Sequence, residues 1–188
     1  TEAEGPEARE HGSIVVDPDG TQAFLFAGSG YSPYLEPFAD AYRYDTAADT
    51  WSAVTPSGDI PEGGGSQRVA EVPGAKVAYL WGGYGGTNGG TNYGDLHRVT
   101  IEGQGLSFKL LDQVGPPAKR ALHAFAYDPV SDRFVLFGGA SNKPLNDTWV
   151  MTLEGDTATW TEVTQAVSPS PRYGFFSGFD AEQGTLFV

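Results

Sequence analysis

The side chains in this sequence that could carry chemistry include three histidines, a few arginines and lysines, and nine tyrosines. The chain has no cysteine. Without cysteine there is no thiolate nucleophile and no cysteine-ligated zinc or iron–sulfur centre. The sequence also lacks a serine-nucleophile elbow, a phosphate-binding loop and a His-Glu-x-x-His helix. The glycine-rich segment 82–90 misses the dinucleotide-binding pattern, since Asn88 stands where its last glycine belongs. We therefore predict no catalytic residue, no metal site and no cofactor.

Packing and hydrogen bonding explain the three histidines better than chemistry does. His97 stands at an aromatic position of an apolar segment, which is typical of a packed residue. His11 and His123 follow Arg9 and Arg120 by two and three residues, at similar points of the chain. A metal site built from these two histidines would require both to reach one pocket, so we expect hydrogen bonds within or between structural units instead.

The charge balance excludes several classes of partner. The 188 residues hold 24 acidic and 11 basic side chains, a formal net charge of −13. Such a surface repels phosphate backbones and anionic membranes, and no cluster of Lys and Arg offsets it. We expect neither nucleic acid nor a membrane as a partner. The acidic, cysteine-free composition favours an extracytoplasmic setting.

The composition predicts an all-β protein. The chain has 26 glycines and 13 prolines, about a fifth of its residues, and long helices do not tolerate that density of helix breakers. Aromatic residues make up 13%, more than disordered chains carry. We therefore expect a folded chain of short strands and many turns.

One phrase recurs three times along the chain. It reads Leu25–Gly28, then Leu80–Gly83, then Leu136–Gly139, and its leucines lie 55 and 56 residues apart. An acidic residue followed by an apolar segment comes next each time, at Asp40, Asp95 and Asp147. A large aromatic residue follows each of these after a further gap: Trp51, Phe108 and Trp160. A fixed period of about 55 residues indicates a repeat architecture.

Arginines precede the recurring phrase. Arg9 and Arg120 lie 16 residues before the leucines of repeats 1 and 3, and Arg172 lies 16 before Val188. Arg68 lies 12 residues before the leucine of repeat 2, and a tighter turn could account for the shorter spacing. On this basis we expect all four arginines to occupy the same position in their repeats.

Each repeat holds four short apolar or alternating segments separated by turn-forming residues. In repeat 3 they are Ala121–Tyr127, Arg133–Phe137, Thr148–Leu153 and Thr159–Val163. Gaps of hairpin length between such segments predict a four-stranded antiparallel meander. One sheet cannot bury both of its faces, so the repeats must stack, with Trp51 and Trp160 between neighbours. If fully buried, each tryptophan should stabilise the fold by about 3–5 kcal/mol relative to Ala.

The pattern of the repeats resembles the Kelch repeat family of β-propellers. The residues that carry the resemblance are Gly138-Gly139, Asn146-Asp147, Trp149 and Trp160 in repeat 3; Gly82-Gly83, Asp95 and Phe108 in repeat 2; and Ala27-Gly28, Asp40-Ala41-Tyr42 and Trp51 in repeat 1. The resemblance implies a propeller segment of four-stranded antiparallel blades, three blades plus half of a fourth. Phe108 replaces the family's tryptophan in repeat 2.

The expected organisation is an acidic tail at 1–8 followed by the propeller segment at 9–188. The repeats are placed at about 9–63, 64–117, 118–169 and 170–188, the last incomplete. Propellers close with roughly four to eight blades. We therefore expect the remaining blades to come from the rest of a longer chain or from another chain.

The loops between the second and third strands are the expected binding surface, since they gather at one mouth of a propeller. They are Ser29–Pro37, Tyr84–Tyr93 and Ala140–Leu145, and the candidate ligand-binding residues in them are Tyr31, Tyr34, Tyr84, Asn88, Asn92, Tyr93, Asn142 and Lys143. Tyrosine together with Asn, Gly and Ser is typical of adaptable recognition surfaces. Ordinary turn composition is the alternative explanation.

Arg68, Arg120 and Arg172 are further candidate ligand contacts. The resemblance to Kelch adaptor domains implies binding of acidic peptides by such arginines. The alternative is that a repeated arginine holds each blade together.

These observations favour a non-enzymatic recognition module that binds a protein or glycan at one mouth of the propeller. The alternative is part of a Kelch-propeller enzyme that acts on a sugar or small metabolite. The copper-radical sugar oxidases that share this fold need a cysteine cross-linked to tyrosine, which this chain lacks.

Overall fold

The computed structural model describes residues 5–30, 37–85 and 90–188, and within these ranges the protein consists of strands and turns, with no helix. No helix of the described ranges could therefore span a membrane. The prediction of an all-β protein is confirmed. Tyr31, Tyr34 and Asn88 lie outside the described residues.

Nineteen strands are found in these ranges. They are β1 (Ser13–Val16), β2 (Gln22–Phe26), β3 (Ala41–Asp45), β4 (Thr50–Val54), β5 (Ser57–Gly58), β6 (Gly64–Gly65), β7 (Arg68–Glu71), β8 (Val77–Trp81), β9 (Tyr84–Gly85), β10 (Thr91–Asn92), β11 (Leu96–Glu102), β12 (Gly105–Leu110), β13 (Asp112–Val114), β14 (Ala124–Asp128), β15 (Arg133–Phe137), β16 (Thr148–Glu154), β17 (Thr157–Val163), β18 (Gly178–Asp180) and β19 (Thr185–Phe187).

Each of the first three repeats forms an antiparallel meander of four strands. The meanders are β1–β4 in repeat 1, β7–β8–β11–β12 in repeat 2 and β14–β17 in repeat 3. Repeat 4 contributes the antiparallel pair β18–β19. The four-stranded antiparallel meanders agree with the sequence prediction, because turn residues and hydrophobic alternation are local signals.

The sheets of repeats 2 and 3 each gain a fifth strand that the sequence did not predict. The segment after the fourth strand of one repeat pairs in parallel with the fourth strand of the next, β5 with β12 and β13 with β17. Each connecting segment thus ties its own repeat to the outer edge of the following sheet.

The strand register gives the alignment of the repeats residue by residue. Ser13, Arg68 and Ala124 occupy the same position, each opposite the last residue of the second strand. Four residues earlier stand Arg9 and Arg120, and in repeat 2 the corresponding residue is Gly64. The alignment of Arg68 with the other arginines is therefore wrong, because Arg68 lies inside β7.

The second residue of each double-glycine phrase is where one repeat meets the next. Its N–H donates to a carbonyl of the following repeat, as Gly28 to Gly64 at 2.7 Å, Gly83 to Arg120 at 2.9 Å and Gly139 to Arg172 at 2.9 Å. A Cβ at Gly83 would stand 2.5 Å from Gln67 Cγ. Since Gly83 also has a φ of +113°, only glycine fits this approach.

A second series of hydrogen bonds runs alongside, from repeat to repeat. Ser66 N–H donates to His11 at 3.1 Å, Leu122 N–H to Ser66 at 3.2 Å and Gly174 N–H to Leu122 at 2.9 Å, with carbonyl oxygens as acceptors. All four residues have φ between 58° and 64°. Three non-glycine residues thus adopt left-handed backbone, which indicates that the surrounding contacts fix this geometry.

Hydrophobic side chains fill the space between neighbouring sheets. One cluster joins repeats 1 and 2 around Phe24, Phe26 and Phe108, and the other joins repeats 2 and 3 around Trp81 and Trp160. This confirms that one meander buries its face against the next.

Gln113 of β13 fixes the second cluster. Its Oε1 accepts hydrogen bonds from the indole nitrogens of Trp81 at 3.0 Å and Trp160 at 3.1 Å, and its Nε2 donates to the carbonyl of Gly94 at 2.9 Å. A residue of the connecting strand thereby satisfies both buried indoles.

Trp51 differs from Trp160 although both occupy the same repeat position. Trp160 is 5% exposed, whereas Trp51 is half-buried and contacts Tyr44 at a ring-centroid distance of 5.0 Å. The difference arises because Trp51 belongs to repeat 1, and no earlier sheet packs on it in the described ranges.

The two tryptophans should therefore differ in their contribution to stability. We expect Trp160→Ala to lower the free energy of unfolding by about 3–5 kcal/mol, as for a buried aromatic residue. Trp51→Ala should cost about 1 kcal/mol, the usual effect of a partly exposed residue. Urea unfolding followed by circular dichroism measures both, and equal losses would contradict the packing described.

Candidate functional site

The loops that follow the double-glycine phrases all begin in the same way. The first residue of each loop pairs with the residue that follows Arg9, Gly64 or Arg120. The pairs are Ser29 with Glu10, Tyr84 with Gly65, and Ala140 with Ala121. The three loops therefore emerge from equivalent points, at the same end of each sheet. We call the described parts of these loops, 29–30, 37, 84–85, 90–93 and 140–145, the loop surface.

Repeat 2 supplies the most ordered part of the loop surface. Tyr84 and Asn92 pair directly, and with β6 they form a small antiparallel sheet of three strands. The Tyr84 side chain is 41% exposed. Tyr93 is half-buried, and burial, then the negative charge of Glu62 and a hydrogen bond to its carboxylate, raise the pKa of the Tyr93 hydroxyl. The structure thus brings three of the predicted residues together.

Repeat 3 contributes Asn142 and Lys143, both exposed to solvent. The Asn142 side-chain oxygen accepts a hydrogen bond from the Ser141 hydroxyl at 3.1 Å. Leu145 N–H donates to the carbonyl of Gly139 at 2.8 Å, just as Tyr93 N–H donates to that of Gly83 at 2.8 Å. The loops therefore end at equivalent points as well as beginning there.

Arg120 is held inside the protein rather than presented to solvent. Its side chain is 1% exposed, and its two terminal nitrogens donate to the two oxygens of Asp147 at 2.6 and 2.7 Å. The same guanidinium donates to the carbonyls of Ala118 and Gly138. Burial works against ionisation of Asp147, but the hydrogen bonds from Arg120 and Trp149 hold the pKa of Asp147 below its ordinary value.

Arg9 makes the same contacts in repeat 1. It donates to both oxygens of Asp40 and to the carbonyls of Glu7 and Ala27. Arg–carboxylate pairs of this bidentate kind are among the stronger polar contacts in proteins. We name this arrangement the arginine clamp, and in repeats 1 and 3 it ties the start of the repeat to the beginning of the third strand.

The other two predicted arginines have different surroundings. Arg172, the repeat-4 counterpart of Arg120, is half-buried and donates to the carbonyl and hydroxyl of Ser170 at 3.1 and 3.2 Å. Arg68 is half-buried in β7 and donates to the His123 carbonyl at 2.9 Å. The clamp matches the framework role that the sequence left open for Arg120, and ligand contact by any of the three stays a prediction.

Sequence reasoning matched His123 with His11 and so missed a shared position three residues after Arg9 and Arg120, which is polar in repeats 2 and 3. Gly12, Gln67 and His123 stand there, against the second glycine of the phrase. Gln67 and His123 are 4% and 1% exposed, and among the described residues neither Gln67 Oε1 nor either His123 ring nitrogen has a hydrogen-bond partner. The 16-residue spacing from Leu80 back to Gly64 was the signal that would have revealed the alignment.

His97 is packed, as predicted. His123 is packed too, but the hydrogen bonds predicted for it are not found among the described residues, because its ring is buried against Trp81 with neither nitrogen partnered. Trp81 lies edge-on to the His123 ring at a centroid distance of 5.2 Å. Burial, and then the positive charges of Arg68 and Arg120, hold the pKa of His123 well below its ordinary value. In the part of the chain that the structure describes, no three His, Asp or Glu side chains are grouped to hold a metal ion.

The state of His123 should make stability depend on pH. Below about pH 6.5 the unfolded chain takes up a proton at this histidine while the folded protein does not, so the free energy of unfolding falls as the pH falls. The difference in stability between wild type and His123→Leu should shift by up to ~1.4 kcal/mol per pH unit between about pH 6.5 and pH 5. Urea unfolding of both proteins across this range tests it, and a difference that does not change with pH would show that His123 titrates alike in both states.

Comparison with known proteins bears on the fold alone. No family model matches the chain. Among solved structures the chain is similar to that of YjhT, with 15% sequence identity and a TM-score of 0.67 over 91% of this chain. The aligned part covers 56% of the YjhT chain, so this chain spans little more than half of that protein's length.

Proposed function

We propose that the chain is a segment of a Kelch-type β-propeller whose loop surface serves as a non-enzymatic recognition module for a protein or glycan. The order of the sheets supports the architecture. The first strands β1, β7, β14 and β18 lie beside one another in chain order, as the innermost strands of successive blades would. The two series of repeat-to-repeat hydrogen bonds involve the segments just before these strands. Blades outside these 188 residues, from a longer chain or a second chain, would complete the ring.

The observation that carries the recognition role is the contrast between framework and loops. The loops begin and end on equivalent backbone hydrogen bonds in each repeat, yet their sequences differ between those points, and the loop of repeat 3 has five residues there where those of repeats 1 and 2 have nine. A rigid scaffold with variable loops at one end is the usual arrangement of binding proteins. The loop surface therefore supplies variable side chains at a fixed geometry.

The chemistry of the loop surface fits an uncharged or mixed ligand surface. Tyr84, in the loop of repeat 2, offers apolar ring area and a hydroxyl. Asn142 and Lys143, in the loop of repeat 3, offer hydrogen-bond donors. Sugar rings and peptide surfaces are both bound by such tyrosine and amide combinations.

The alternative, an enzyme acting on a sugar or small metabolite, would need arginines that are free to meet a substrate. Arg120 is committed to the clamp with Asp147. Loss of activity in an Arg120 variant would therefore report loss of folding as much as loss of chemistry. Turnover of a sugar or metabolite panel by wild-type protein is the direct test of this alternative, and specific turnover would replace the recognition proposal.

Substitution at the loop surface should abolish recognition without unfolding the protein. Glycan and peptide arrays identify the ligand, and titration calorimetry then compares variants. We expect Tyr84→Ala to weaken binding by at least about tenfold, as for an aromatic contact near the centre of an interface. The matched control is Val130→Ala, which changes a 75% exposed residue at the β14–β15 turn, at the other end of the sheets.

Control and variant should share the wild-type unfolding curve, because both side chains are exposed. Binding that survives Tyr84→Ala unchanged, or that is lost equally in Val130→Ala, would place the ligand elsewhere.

A further inference from the structure

Repeat 2 keeps the acceptors of the arginine clamp but has no arginine. Gly64 stands where Arg9 and Arg120 stand, because its carbonyl accepts the Gly28 N–H as the Arg120 carbonyl accepts the Gly83 N–H. Asp95 occupies the place of Asp40 and Asp147 at the start of the third strand. The carbonyl of Gly82 likewise corresponds to those of Ala27 and Gly138, which the clamp arginines bind.

Asp95 has no basic side chain paired with it among the described residues, unlike its counterparts in repeats 1 and 3. In repeats 1 and 3 the corresponding aspartates lie 2.5 and 2.6 Å from their arginines. Within residues 5–30, 37–85 and 90–188, no basic side chain forms an ion pair with Asp95, and this residue is exposed. The acceptor carboxylate is therefore open to solvent.

A cavity of about 20 Å³ lies at this place. Its lining includes Glu62, Gln67, Gly82, Tyr93, Asp95 and His97. A space of this size admits one or two groups as large as water, which is room for the tip of a cation and not for a whole ligand. The body of any ligand must remain outside, on the side of the exposed carboxylates.

Gln67 provides an independent sign that a donor belongs in the cavity. It is 4% exposed, and its Oε1 is buried without a hydrogen-bond partner among the described residues. Buried acceptors are nearly always satisfied, so an unpartnered one needs an explanation. An N–H donor entering the cavity from outside would satisfy it.

The geometry points to a guanidinium-binding site in repeat 2, formed by Asp95, Gln67 and the Gly82 carbonyl, which receives the arginine side chain of a ligand in place of the repeat's own. Each terminal nitrogen of a guanidinium carries two donors in a planar fork, which suits a carboxylate and nearby carbonyl oxygens together. These are the groups that hold Arg9 and Arg120 in the neighbouring repeats.

Tyr93 completes the parallel with repeat 1. It corresponds to Phe38, whose N–H donates to Gly28 as that of Tyr93 donates to Gly83. The Phe38 ring lies 4.3 Å from the Arg9 guanidinium carbon, a cation–π distance. The Tyr93 ring lines the repeat-2 cavity and offers the same kind of contact to an incoming guanidinium.

The site shares Tyr93 with the loop surface but does not include Tyr84, and it is tested with a small probe. N-acetyl-arginine amide is titrated into ¹⁵N-labelled protein at constant ionic strength, with N-acetyl-citrulline amide as the neutral probe of the same shape. We expect saturable shifts of the Gln67, Tyr93 and Asp95 amides with the arginine probe alone. Asp95→Asn should weaken binding about tenfold, because it removes the charge from a charge-assisted pair.

Asp112→Asn is the matched control, since Asp112 is an exposed carboxylate of β13 that does not line the cavity. It should leave the affinity for the arginine probe unchanged. Gln67→Leu gives a second test that removes the unpartnered oxygen, and it should weaken binding too. Unsaturable shifts, equal shifts with the citrulline probe, or equal affinity in Asp95→Asn with an otherwise unchanged spectrum would overturn the site. None of these results would bear on loss of loop-surface binding in Tyr84→Ala.

Discussion

The fold depends on one close approach of two backbones, repeated at each junction between repeats. The second residue of the double-glycine phrase donates its N–H to a carbonyl in the next repeat, and it does so at Gly28, Gly83 and Gly139. No side chain fits there, since a Cβ at Gly139 would stand 2.8 Å from the Ala121 carbonyl. The position of each repeat relative to the next is therefore set by backbone, and the hydrophobic clusters pack around that fixed contact.

The same junction links the framework to the candidate sites. In repeat 3 the carbonyl that receives the Gly83 N–H belongs to Arg120, whose side chain turns back to clamp Asp147. In repeat 2 the corresponding residue is Gly64, so the backbone contact remains while the clamp is missing. Loss of one side chain at a repeated position thus leaves the scaffold intact and opens an acceptor site. Repetition makes such a departure visible.

Much of this arrangement could be predicted from the sequence, because the signals are local. The second strand of repeat 3 was predicted at its observed bounds, Arg133–Phe137, from alternation and the flanking turn residues. The first strand was predicted three residues too early, since Ala121 and Leu122 are apolar but, like His123, belong to the junction. The parallel strand β13 carried no pattern of its own, and only its pairing with β17 makes it a strand.

The alignment of repeat 2 and the roles of single side chains needed three-dimensional information. Arg68 has the residue type of Arg9 and Arg120, whereas Gly64 has their 16-residue spacing to the leucine of the repeat. Residue type led to the wrong alignment, and the spacing was the correct guide. The burial of Trp160 and the partial exposure of Trp51 depend on which neighbours each repeat has, and equal repeat positions cannot reveal that. The candidate sites also divide in this way. Loop composition indicated Tyr84 and Tyr93, but the missing clamp arginine beside Asp95 is found only when the three repeats are aligned by strand register.

Native-state hydrogen exchange at the junction amides tests the central claim most directly. If the backbone contacts fix the repeats, the amides of Gly83, Leu122 and Gly139 should exchange as slowly as that of Leu136 in the centre of the repeat-3 sheet. They should be slower by a factor of about 100 or more than the amide of Val167, which lies in an exposed segment after β17. Exchange of the junction amides at the rate of Val167 would contradict the account.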